Sequence, residues 1–305
     1  MSKFPLIPLA LCLTATSPAL AQYNPAAAVS APTERAVVEE VGKDGVKRKV
    51  EVDRRPAADA FGNAAGNQFD LAIDGAFEGQ TIAVIHLYTG EGFDFSLPKA
   101  ALKEKGFSVY RWVGAPPSPK ELKEALQKSC QLWIISGSTQ TLNEEHLAVI
   151  KAFFEAGHGL YIWGDNEPYY ADANFVARAL LDTTMNGNII GDQVVGLRAK
   201  RQKPGVLPNH LLSTGLEHLY EGVTIATLEK NGALQPLVYG SAGNLVTAFY
   251  DRNGRRALLD GGFTRLFVKW DTAGTGRYVK NAAAWLANVE RFGEQVTAAG
   301  LPKGR

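Results

Sequence analysis

Cysteine is nearly absent from this chain: Cys12 and Cys130 are its whole complement. Cys12 falls in a stretch that reads as a removable leader, which leaves Cys130 alone and excludes an intrachain disulfide. Cys130 precedes an apolar strand and reads as a small buried hydrophobe, not as a reactive thiol. An excess of one charge is also missing, since 32 basic side chains face 31 acidic ones. No basic cluster stands out beyond Lys47-Arg48-Lys49. Nucleic-acid binding needs a basic face to displace counterions, so that class is set aside. The histidines (His86, His146, His158, His210, His218) are scattered, with no His-x-x-x-His pair to hold zinc from one helix. Gly90-Glu91-Gly92 has neither the third glycine nor the Lys-Ser/Thr of a phosphate cradle and reads as a turn. No cofactor is expected. Beyond the leader no apolar run approaches the roughly 20 residues of a membrane span.

The N-terminus carries Lys3, an apolar run from Phe4 to Thr16 and Ala19-Leu20-Ala21. These are the parts of a secretory signal peptide, so residues 1–21 are expected to be removed and the protein to be periplasmic or secreted. Residues 22–79 read as linker, hairpin and irregular wrap. Val37–Val41 and Val46–Val52 flank Gly42-Lys43-Asp44-Gly45, a hairpin signal in strands rich in charge. Phe61, Phe69, Leu71, Ile73 and Phe77 would anchor the wrap.

From Gln80 onward, short apolar strands alternate with helical patterns. Leu132–Ile135 is followed by Thr141-x-x-Glu144, read as a capping box, then by an apolar stripe at Leu147, Ile150 and Phe154, then by a second apolar strand, Leu160–Trp163. Ser118-Pro119-Lys120-Glu121 opens another helix in the same way. Two such strands joined by a helix make a βαβ unit with a parallel sheet and a right-handed crossover. The expected class is α/β, doubly wound and mainly parallel, over residues 80–292, with a tail at 293–305. Strand-like segments from Gly187 to Asp260 suggest antiparallel additions in the C-terminal third, with Asp251-Arg252-Asn253-Gly254 as a hairpin turn.

Ligands of such sheets gather at the carboxyl ends of the parallel strands. Asp165, Asn166, Glu167, Tyr169 and Tyr170 follow the all-apolar strand Leu160–Trp163 and are candidate ligand-binding residues. The alternative for the two carboxylates is attachment to loop amides or to an arginine. Asp172 reads as a helix N-cap. His86, at the end of the first buried strand, is the one histidine near the presumed cleft. Asp260, Arg265, Asp271 and Arg277 form a second cluster, at a strand end and before the last helix. They could hold an anion, or the arginines could pair with Asp260, Asp271 or Asp165 and stitch the C-terminus to the sheet.

The run Leu132–Ile135, the helix after it and Gly157-His158-Gly159-Leu160-Tyr161-Ile162-Trp163-Gly164 resemble the class I glutamine amidotransferase-like superfamily. Within it, the likeness is to trehalose-utilisation-type and related branches. Asn209-His210-Leu211-Leu212-Ser213-Thr214-Gly215-Leu216 and Leu219-Tyr220-Glu221-Gly222 add to it, and it spans about Gln80–Val289. The resemblance implies a nucleophilic cysteine on a Gly-x-Cys-x-Gly turn and a histidine after a late strand. Here Gly164-Asp165-Asn166-Glu167 puts a carboxyl in place of the thiol, and Leu259-Asp260-Gly261-Gly262-Phe263 has no histidine. Glutamine hydrolysis through a thiolate is therefore not expected. The expectation is a degenerate, non-catalytic domain for a small polar ligand or a periplasmic protein partner. The rivals are a hydrolase or carbohydrate-acting enzyme using strand-end carboxylates, and a structural envelope protein.

Overall fold

A computed structural model describes residues 23–24, 32–90, 92–197, 205–270 and 273–296. The expected signal peptide and most of the tail lie outside the described residues. In chain order the elements begin with β1 (Glu34–Val41) and β2 (Lys47–Arg54). Next come β3 (Thr81–His86), α1 (Ser96–Glu104), β4 (Ser108–Val113), α2 (Pro119–Leu126), β5 (Gln131–Ile135), α3 (Glu144–Glu155), β6 (Gly159–Trp163) and α4 (Ala171–Leu181). A strand-rich stretch follows: β7 (Met185–Ile190), β8 (Val194–Gly196), β9 (Gly205–Val206), β10 (His218–Tyr220), β11 (Thr224–Leu228), β12 (Gln235–Tyr239), β13 (Leu245–Arg252) and β14 (Arg255–Asp260). The chain closes with α5 (Thr275–Leu286) and α6 (Val289–Phe292).

The main sheet has eight strands in the order β4-β3-β5-β6-β14-β13-β12-β9. From β4 through β14 neighbours run parallel, and from β14 to β9 antiparallel. The α/β doubly wound class follows from how the strands are filled. Residues of β5 and β6 are buried on both faces, so apolar side chains alternate between two layers. Trp133, Ile135, Tyr161 and Trp163 face one core, with α5 and residues 71–77. Leu132, Ile134, Leu160 and Ile162 face the other, with α3 and α4. The β13–β14 connection turns on Asn253 (φ 54°) and Gly254 (φ 66°), the left-handed pair of a two-residue hairpin.

Four expectations are corrected. The strand-like segments Gly187–Leu197 and Val223–Leu228 do not extend the main sheet; β7 pairs with β11 and β8 with β10 in separate two-stranded sheets. Helix α3 is capped by Asn143, whose side chain accepts from the amides of Glu145 and His146, and not by Thr141. Asp172 is no N-cap: it lies inside α4 and accepts from the amides of Thr141 (2.8 Å) and Leu142 (2.7 Å). Ser136 Oγ serves that helix start instead, accepting from the amides of Asp172 and Ala173. Of the wrap anchors, Phe69, Leu71 and Phe77 are buried, while Phe61 is exposed. Among the described residues no helix is long and apolar enough to cross a membrane.

Candidate functional site

The carboxyl ends of β3, β6 and β14 bring His86, Asp165 and Asp260 to one edge of the sheet. The two carboxylate turns are stitched together: the Gly164 amide donates to the Asp260 carbonyl (2.9 Å), and the Phe263 amide to the Gly164 carbonyl (3.2 Å). The loop beyond Asp165 closes on itself, with the Asp165 amide donating to Tyr169 O (3.0 Å) and the Tyr169 amide to Asn166 O (2.8 Å).

Asp260 and Arg265 form the ion pair that the sequence left open, at 2.9 Å and with both side chains 0 % exposed. The other oxygen of Asp260 accepts from the Gly262 amide (2.9 Å). Tyr278 donates to the carboxylate (2.8 Å), and Tyr161 donates in turn to Tyr278 (2.9 Å). Arg265 also donates to the Glu221 carbonyl (2.8 Å). The Asp260 carboxylate is engaged on both oxygens by these donors, while Arg265 Nε, in the same network, is buried without a hydrogen-bond partner. Arg277 is not part of it. It binds Asp70 (2.8 Å) and the carbonyls of Gly215 and Gly66, and not Asp260 or Asp165. Asp271 lies outside the described residues.

Burial raises the Asp260 carboxyl against the pull of Arg265, Tyr278 and the Gly262 amide, so on losing Arg265 it has the option of taking up a proton. Arg265→Met should therefore cost about 1–3 kcal/mol, the scale of an imperfectly satisfied buried polar group. Urea denaturation checks this. The deficit should shrink toward pH 5, because a protonated Asp260 needs no counter-ion; a deficit that grows on acidification would contradict it.

Asp165 is different. It is 3 % exposed, and its Oδ1 is buried without a hydrogen-bond partner. Burial pushes its carboxyl up to about 8, against the pull of the Asn166 amide and Arg265, so the group is largely protonated at neutral pH. Beside this turn, aromatic rings from loops far apart in sequence pack together. Tyr88 stands 4.8 Å from Phe263 and 5.5 Å from Tyr169, and Phe93 packs on Phe263 at 4.9 Å. Burial and the neighbouring Tyr169 and Asp165 raise the Tyr88 phenol. Tyr88 and Tyr169 remain half-buried.

His86 is buried, with Arg111 2.8 Å from its Nδ1. A guanidinium only donates, so Nδ1 accepts and Nε2 carries the proton. Burial, with Arg111, pulls the imidazole down to about 4. Its single basic nitrogen is thus already engaged, and His86 is unfit as a general base. Glu167 is exposed and does not converge with Asp165. Asn166 is held by Thr224 Oγ1 (2.8 Å), and Tyr170 marks the start of α4. Among the described residues no cluster of His, Cys, Asp and Glu is arranged to hold a metal ion. Sequence reasoning missed Tyr88 and Tyr161. Tyr161 carried a signal, as a phenol on an otherwise apolar buried strand that must find a partner.

No protein-family model matches the sequence, and no curated protein matches it. Solved structures similar in fold include a ThuA-like protein from Parabacteroides merdae, at 13% identity and TM-score 0.43, covering 74% of this chain and 94% of that one. A GMP synthase subunit from Thermoplasma acidophilum aligns at 10% identity and TM-score 0.42, covering 72% and 98%. An exo-beta-1,4-mannosidase from Opitutaceae bacterium strain TAV5 aligns at 12% identity and TM-score 0.38, covering 68% of this chain. This chain spans only 36% of that mannosidase.

Proposed function

We propose that the chain is an exported, non-catalytic amidotransferase-like domain that binds a small polar ligand through Asp165 at the carboxyl edge of its parallel strands. The observation that carries this reading is the unpartnered, buried Oδ1 of Asp165. Buried polar atoms in native proteins are nearly always satisfied, so an unpartnered carboxyl oxygen at the ligand-binding edge of a parallel sheet calls for a partner, and a polar group of a ligand would supply one. A neutral carboxyl both donates and accepts one hydrogen bond, which suits a hydroxyl, amide or carboxyl group of a ligand. The half-buried Tyr88 and Tyr169 rings give such a ligand a flat apolar neighbour and phenol oxygens. Catalysis has less support. The place that the amidotransferase resemblance gives to a thiol holds this carboxyl, His86 has no free basic nitrogen, and Asp260 is consumed by its own donors. Export rests on the apolar run before Ala19-Leu20-Ala21.

Protein recovered from the periplasm should begin at Gln22 by mass spectrometry, and that material serves for the binding test. Glutamine incubated with it should release ammonia only at the buffer rate. Calorimetry against free amino acids, dicarboxylates and monosaccharides should find a ligand that binds the wild type, still binds Asp165→Asn, and is lost in Asp165→Leu. Ammonia release that disappears in Asp165→Asn would defeat the non-catalytic reading. Equal binding by Asp165→Leu would defeat the site.

A further inference from the structure

The hairpin of β1 and β2 stands apart from the rest of the molecule. Its strands form their own two-stranded sheet, and among the described residues no third strand pairs with either edge. Two strands alone are marginally stable in water; a third or fourth strand and an apolar face are what make such a sheet hold. One face carries Ala36, Val38, Val50 and Val52, with Ala36 opposite Val52 and Val38 opposite Val50. The other carries Arg35, Val37, Glu39 and Val41 opposite Asp53, Glu51, Lys49 and Lys47. Val37 and Val41 are each 63% exposed. The ion pairs within that face are loose, at 3.8 Å for Arg35–Glu51, 3.9 Å for Arg35–Asp53 and 3.7 Å for Lys47–Glu39. Exposed pairs of this kind contribute little and leave the charges free for other partners.

The outer edge of β2 is self-complementary. Its sequence, Lys47-Arg48-Lys49-Val50-Glu51-Val52-Asp53, places basic and acidic side chains symmetrically about Val50. When two copies of this strand lie antiparallel with Val50 opposite Val50, Lys49 meets Glu51 and Lys47 meets Asp53, and each pair occurs twice. Neighbouring registers are poorer in charge pairing. Antiparallel hydrogen bonding requires outward-facing residues to oppose outward-facing ones, so the register shifts in steps that preserve this parity. One step sets Lys49 against Lys49 and keeps two Lys47–Glu51 pairs; the other sets Glu51 against Glu51 and Arg48 against Arg54 and keeps two Lys49–Asp53 pairs, so each has two opposite-charge pairs where the Val50 register has four. The edge of β1 has no comparable symmetry: centring it on Val37 places Glu34 opposite Glu40. Charged residues on an exposed edge usually block pairing. Here the same charges favour one register over its neighbours.

We infer that β2 of one copy pairs with β2 of a second copy about a two-fold axis at Val50, joining two hairpins into a four-stranded sheet. The contact is isologous, as a closed dimer requires. It also merges the apolar faces, bringing Ala36, Val38, Val50 and Val52 of both copies onto one surface.

Sedimentation velocity on the full chain should show a dimer in the micromolar range. Lys49→Glu and Glu51→Lys each place like charges opposite one another twice, and each should weaken dimerisation roughly tenfold or more. The double variant restores both cross-copy pairs and should dimerise like the wild type. It does not repair the Glu39 contact inside the hairpin, so its recovery separates dimer pairing from hairpin folding. Val50→Cys should cross-link on oxidation, because directly opposed Cβ atoms lie within about 5.5 Å. Val52→Cys, which faces Arg48 of the second copy, should cross-link far more slowly. Cys130 is buried in both. A monomeric wild type, a double variant as weak as the singles, or equal cross-linking at Val50 and Val52 would each overturn the inference.

Discussion

Replacing Asp165 by asparagine should make the protein more stable at pH 8. Its carboxyl is pushed up to about 8 in the folded chain by burial, far above its value in an unfolded one. Between roughly pH 4 and pH 8 the folded state therefore holds a proton that the unfolded state has lost. Stability from this group is fully present below pH 4, falls by up to about 1.4 kcal/mol per pH unit through that window, and levels off above it. Asparagine is neutral in both states and escapes this slope. At pH 8 the variant should gain about 3–5 kcal/mol over the wild type, and near pH 4 almost nothing. His86 and His210, pulled down to about 4 by burial, lose stability in the opposite sense as the pH falls below 6.5. The difference between variant and wild type, measured by urea denaturation at pH 5 and pH 8, isolates Asp165 from them. A less stable variant at pH 8 would mean that the carboxylate is ionised and paired.

A gain of that size bears on function. A chain that retains a costly buried carboxyl forgoes stability, and active or binding sites are where such costs recur. The position of Asp165 was legible in sequence, because an all-apolar strand ending in Gly164-Asp165 puts the next side chain at the edge of a parallel sheet. Its burial was not. The rings packed together beside the Asp165 turn, Tyr88, Phe93 and Phe263, come from loops after β3 and β14, and no local pattern joins those segments. The Asp260–Arg265 pair was one of several charge pairings that the sequence allowed. The choice among them is made by the turn at Gly261-Gly262, which folds Arg265 back over the end of its own strand.

The parallel half of the sheet was readable because both faces of β5 and β6 are apolar, a pattern that few other architectures bury. The reading failed where polar groups compete locally. Thr141 and Asn143 are both fit to cap α3, and Asp172 decides between them by binding the amides of Thr141 and Leu142 from another helix. Residues 185–196 and 218–228 form strands. Which strand they join depends on partners that alternation does not specify, and they join each other.

The wrap at residues 55–79 read as an irregular covering, and its most consequential residue carried no signal at all. Asp70 is 1% exposed and holds three cations: Lys105 at 2.9 Å, Lys280 at 2.8 Å and Arg277 at 2.8 Å. Lys105 retains Asp74 as a second partner, and Lys280 retains Glu104. Arg277 has only carbonyls left, those of Gly215 and Gly66, and a guanidinium cannot shed its proton. Asp70→Ala should therefore cost about 3–5 kcal/mol, the scale of a broken buried pair. Lysine can lose its proton when stranded and arginine cannot, so Asp70→Ala combined with Arg277→Met should recover more stability than Asp70→Ala combined with Lys280→Met. Urea melts of the single and double variants test this order, and limited proteolysis should cut residues 55–79 sooner in Asp70→Ala than in the wild type. Arg35→Ala, which breaks only exposed pairs in the hairpin, should stay within about 1 kcal/mol of the wild type. Equal losses from Asp70→Ala and Arg35→Ala would mean that the wrap lies on the domain without holding it.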